Sequence, residues 1–60
     1  MSILAAELSV LKRLVIRIPR EATLTQILSE DSIARQVARC RVLHIADSEI
    51  KAVILAAERE

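Results

Sequence analysis

Sixty residues make at most one domain, and a chain this short buries only about 60% of its unfolded surface. The formal charge of +1 supplies no overall field that would draw the chain onto nucleic acid. Hydrophobic residues are 53% of the sequence with no Phe, Trp or Tyr among them, so there is no stacking platform for bases or sugars, and the complete lack of glycine argues against phosphate-cradling loops and nucleophile elbows.

A small core usually needs a disulfide, a metal or a partner subunit to hold it. One cysteine cannot close an intrachain disulfide, so a second subunit is the expected reinforcement. The opening MSILAAELSVLK lacks a positive start ahead of its apolar part, unlike a signal peptide. No apolar run approaches the ~20 residues that span a bilayer. A cytoplasmic, reducing location is expected, in keeping with a lone thiol.

In chain order, Leu4, Leu8, Leu11, Val15 and Ile18 step by four and three, a heptad-like stripe. Glu7, Ser9, Lys12, Arg13 and Arg17 fall outside it. The pattern predicts a helix over roughly 2–16, capped by Ser2 and stopped ahead of Pro19. Residues 13–18 also alternate polar and apolar, which reads as a short strand. Thr23 followed by Gln26 fits a capping box and predicts a short helical segment carrying Leu24, Ile27 and Leu28.

From Ser29 to Glu60 no glycine or proline interrupts the chain. Ile33, Val37, Cys40, Leu43, Ala46, Ile50, Val53 and Ala57 recur every three or four residues, the period of one helix face. Ser29-Glu30-Asp31 reads as a cap ahead of two acids, and Asp47-Ser48-Glu49 repeats that pattern. Consecutive steps of three residues through Cys40, Leu43 and Ala46 mark a phase slip. Two helices, about 30–44 and 47–60, with a tight joint between them are the preferred reading. A helix that continues through the joint and a short strand over 42–46 are the alternatives. The last helix is apolar nearly all round, which suggests burial on several sides.

No constellation of side chains points to a catalyst, and the chain is read as a non-enzyme with no cofactor. Cys40 and His44, four apart, together with Asp47, would make half a zinc site if a symmetric partner supplied the rest. A buried cysteine beside a helix-end histidine explains them more simply, and no metal site is assigned. Lys12, Arg13, Arg17 and Arg20 form a basic patch suited to phosphate contact or to the acids of a neighbouring subunit.

Val15-Ile16-Arg17-Ile18-Pro19-Arg20-Glu21 resembles the strand and helix entry of ribbon-helix-helix repressors, and Asp47-Ser48-Glu49-Ile50 is similar to the start of their second helix. The resemblance implies an intertwined dimer with its ribbon in the major groove. Arg13, Val15 and Arg17 would then face base edges, with Leu14, Ile16 and Ile18 toward the core. The spacer between the two segments is longer than the family's by about one helix. A helix-turn-helix frame that sets Ile45, Ile50 and Val53 at its apolar positions puts His44 where that motif has glycine. Its recognition helix would open with acids, which repel phosphate.

The fold class expected for residues 1–60 is all-α: one domain, a three- or four-helix protomer assembling into a homo-oligomeric helical bundle. The alternative is a ribbon-helix-helix-like fold with one N-terminal strand. The expected function is non-catalytic protein–protein interaction or regulation as a homo-oligomer with a protein partner, with Leu4, Leu8, Leu11, Val15, Ile50, Val53 and Ile54 at the subunit seam. A dimeric DNA-binding repressor using Arg13, Val15 and Arg17 is the alternative function.

Overall fold

A computed structural model describes residues 2–57. They form four helices: α1 Ile3–Val15, α2 Leu24–Ser29, α3 Asp31–Val42 and α4 Asp47–Ala56, with no strand among the described residues. The first helix begins where expected, because the Ala5 N–H donates to Ser2 Oγ at 3.1 Å and so satisfies one of the orphan donors of the first turn. It ends at Val15, ahead of Pro19, as the Arg17 and Ile18 N–H groups bond the carbonyls of Leu14 and Val15 at 3.3 and 3.0 Å in tight terminal turns.

The strand alternative over 13–18 does not form, and with it goes the two-stranded ribbon. In a strand, period-two geometry would set Val15 on one face with Arg13 and Arg17. As a helix, α1 instead brings Val15 into line with Leu8 and Leu11, and both Val15 and Leu11 are fully buried. Burying Val15 contributes ~1.5–3 kcal/mol, which a register that turns it outward with Arg13 and Arg17 forgoes.

After Pro19 the Ala22 N–H bonds back to the Pro19 carbonyl at 3.0 Å and turns the chain. The capping box is present in full: Gln26 N–H donates to Thr23 Oγ1 at 3.2 Å and Thr23 N–H to Gln26 Oε1 at 2.8 Å. Ser29, expected to cap the next helix, is the last residue of α2, and its hydroxyl donates to the Gln26 carbonyl at 2.8 Å. A single extended residue, Glu30 (φ −64°, ψ 130°), ends α2 and begins α3.

The joint predicted after α3 is a Schellman turn. The Ile45 N–H bonds the Cys40 carbonyl at 3.0 Å and the His44 N–H bonds the Arg41 carbonyl at 2.9 Å. His44 holds the left-handed position with φ 62°, the place glycine usually takes. Cys40 and Ile45 are both buried, the apolar contact that accompanies this motif. Residues 42–46 are therefore a helix end and turn rather than a strand. The cap of α4 is Ala46, which has no side-chain acceptor, and Asp47 and Glu49 lie in the first turn. The helix ends at Ala56; residues 58–60, expected to continue it, lie outside the described residues.

The core forms where α1 crosses α3 and α4, with α2 laid against α3. It contains Leu11 and Val15 from α1, Ile27 from α2, Ile33, Val37 and Cys40 from α3, and Ile45, Ile50, Ile54 and Ala57 from the turn and α4. The radius of gyration, 10.7 Å, is close to the ~10.4 Å of a folded 60-residue domain. A single copy thus covers one side of α4, leaving Ala52, Leu55 and Ala56 exposed.

Candidate functional site

An apolar groove lies where α2, α3 and α4 meet. Its floor is Leu24, Val37, Ile50 and Ile54, Leu28 stands at its lip, and its rim carries Arg41, Asp47 and Lys51. Each side chain follows from local structure. The capping box orients α2 so that Ile27 enters the core while Leu28, one residue on, stays at the lip. The Schellman turn folds α4 back so that Ile50 and Ile54 face Val37 across the gap. Arg41 Nε and Asp47 Oδ1, 3.1 Å apart, bridge the last turn of α3 to the first residue of α4.

The groove holds about 240 Å3. Small-molecule sites run to ~300–1,000 Å3 and carry several convergent polar groups. This one exceeds the ~150 Å3 cavity that admits a benzene ring, and apart from Arg41, Asp47 and Lys51 its lining is aliphatic. Its size and chemistry suit one or two aliphatic side chains from an apposed helix. A second, more open hollow beside Ile18, Pro19 and Ala22 is bordered by Glu21, Gln26, Ser29 and Glu30, so the charged side chains of its lining are both acidic.

On the opposite side of α3 a polar clamp ties it to α1. Gln36 Nε2 donates to the Glu7 carbonyl at 2.9 Å and to Glu7 Oε1 at 2.8 Å, while Arg39 Nε reaches the same carboxylate oxygen at 2.9 Å. The Gln36 hydrogen bond first, and the Arg39 guanidinium second, hold the Glu7 carboxyl below the usual carboxylate range. The neighbouring Cys40 thiol is pushed up, chiefly by burial and then by the Glu7 charge. Such a thiol is a packing group, since nucleophilic cysteines need a lowered pKa and access.

Of the seven residues expected at a subunit seam, Leu11, Val15, Ile50 and Ile54 lie in the protomer's own core, and Leu8 and Val53 pack against it. Only Leu4 remains exposed, at 45%. The heptad spacing reported a buried face correctly, but α1, α3 and α4 of one chain supply the cover. Arg13 and Arg17 are exposed and Val15 is not, so the trio expected to read base edges shares no surface. Cys40 and His44 also diverge. His44 lies beyond the end of α3 and is exposed, Cys40 is buried, and Asp47 is engaged by Arg41. Among the described residues no three metal-capable side chains cluster.

Sequence reading missed Leu24, Leu28 and Val37 as groove residues, and the Glu7–Gln36 clamp. The clamp had a signal. Glu7, three residues after Leu4 and four before Leu11, borders their stripe, and Gln36, three after Ile33 and four before Cys40, borders theirs, so each helix carries one polar group beside its inward side. No helix among the described residues is long and apolar enough to cross a membrane. Compared with known proteins, the chain matches no family model, no curated protein and no solved structure.

Proposed function

We propose that this chain is a non-catalytic helical interaction protein that works as a homo-oligomer and regulates by docking. The observation that carries the reading is the aliphatic groove between α2, α3 and α4, open on one protomer and bordered by exposed Leu28, with exposed Leu55 next to Ile54 on α4. An apolar concavity with a charged rim is the complement of an amphipathic helix, whose apolar anchors fill the floor while the rim sets register. The protomer also exposes Ile3 and Val10 on α1 and Val42 on α3. Single exposed aliphatics are ordinary; it is the contiguous floor and lip that distinguish the groove.

Sedimentation equilibrium with circular dichroism across a dilution series tests the reading. The expected result is a mass that is a multiple of 6.7 kDa at micromolar concentration and falls on dilution. A monomer of constant mass throughout the series overturns it. Residues 13–17 lack the ribbon of a groove-reading repressor, and the exposed start of α4 is acidic. A random DNA duplex is therefore expected not to bind at low salt. Binding that weakens steeply as salt rises would replace the docking reading with a DNA-binding one.

A further inference from the structure

We infer that the outward face of α1 and the turn after it dock on an anionic lipid surface, resting on the bilayer without crossing it. This surface is separate from the groove, none of whose lining residues belongs to α1. The charge along the chain is polarised. Lys12, Arg13, Arg17 and Arg20 fall within nine residues, and no acid occurs from Leu8 to Arg20. The remaining five Lys and Arg share the chain with eight Asp and Glu. The fold lets the clustered cations act together. Leu11 and Val15 turn one side of α1 into the core, so at ~100° per residue Arg13 emerges on the opposite side. Arg17 follows one turn on, with Lys12 beside Arg13. All four cationic residues are exposed, and Lys12, Arg13 and Arg17 make no ion pair among the described residues. Glu7, the one acid of α1, is turned to Gln36 and Arg39 with its side chain 15% exposed. Past Pro19 the sign reverses, with Glu21 and Glu30 bordering the hollow there.

The aliphatic part of the same face selects lipid over other polyanions. Followed back toward the N-terminus in steps of three and four, the row through Arg17 and Arg13 continues as Val10, Ala6 and Ile3. Ile3 is 68% and Val10 41% exposed. One face thus runs from aliphatic to basic over ~21 Å. A nucleic-acid duplex would engage the cations and leave the aliphatic half in water. A coiled-coil partner would have to bury Arg13 and Arg17 in its seam. A bilayer surface satisfies both halves at once. Ile3 and Val10 enter the boundary between headgroups and acyl chains, while the guanidinium groups stay at the level of the phosphates and donate to their oxygens.

Co-sedimentation of the full chain with phosphatidylcholine vesicles containing about one-third phosphatidylserine tests this, with circular dichroism to verify helix content. The expected result is binding that weakens as salt rises, and none to vesicles of phosphatidylcholine alone. Arg13→Gln with Arg17→Gln lowers the affinity ~30-fold, at about fivefold for each cation removed. Ile3→Ser with Val10→Ser also weakens binding, because the aliphatic contact is lost while the charge is kept. Arg35→Gln with Lys51→Gln removes the same charge from exposed positions on α3 and α4 and changes the affinity by less than about twofold. No binding to the anionic vesicles at low salt overturns the inference, as does equal binding to the neutral ones. A random duplex bound as tightly as the vesicles would make the site one for phosphate alone and overturn the lipid assignment. Loss of self-association in the Arg13, Arg17 variant with vesicle binding intact would assign the face to contact between copies and overturn it too.

Discussion

Glu7 is the residue whose environment departs furthest from that of an ordinary surface acid. Its carboxylate accepts from Gln36 and Arg39, so its pKa is lowered in the folded state. A lowered carboxylate stabilises fully above the unfolded value of ~4.3 and loses that contribution as pH falls through the lower folded value. Thermal melts of Glu7→Gln are therefore expected to lie below wild type near neutral pH and to converge with it toward pH 3. A constant gap at all pH values would show that the charge plays no part. Cys40, buried and with its thiol pKa raised, is expected to react with a disulfide reagent only at the rate of opening of the fold. Its labelling should accelerate sharply through the denaturant transition, and rapid labelling of native protein would contradict the burial.

At the scale of elements, two helix ends carry local costs that the fold tolerates. His44 occupies the left-handed position of the α3 Schellman turn, where a side chain with a Cβ costs ~1–2 kcal/mol. Glycine removes that cost but gains freedom in the unfolded chain, so His44→Gly is expected to stabilise by about 0.5–1 kcal/mol in urea titrations. The α4 cap is Ala46, exposed, extended and without a side-chain acceptor. Ala46→Ser supplies one and is expected to add ~1 kcal/mol by the same measurement. Gains from both substitutions should add only in part, because the two positions share one turn. The α3–turn–α4 unit was legible from its apolar period and its phase slip. The cap identities were not, since Ser29 and Asp47 look like caps until α2 extends through Ser29 and α4 begins at Asp47.

For the whole molecule the question is which aliphatics a single copy covers. Leu11 and Ile33 are fully buried within one protomer, so Leu11→Ala or Ile33→Ala is expected to cost ~2–5 kcal/mol. That loss should be the same at low and high protein concentration, as befits a contact inside one chain. Melts of these variants that shift with protein concentration would mean that folding and assembly are a single event.

Periodicity alone established the helices, because burial of one face every ~3.6 residues writes itself into Leu8, Leu11, Val15, Ile33, Val37, Ile50 and Ile54 whatever covers that face. It likewise marked the capping box and the joint before α4, which depend on neighbours only a few residues away. What covers each stripe was decided by the tertiary structure: α1 laid across α3 and α4 encloses residues that would serve equally well at a subunit seam. The groove was decided there too, since Leu24, Val37 and Ile54 come from three helices and meet only once the turns have set their directions. A stripe has the same spacing in a core and in an interface; only the path of the chain between stripes tells them apart.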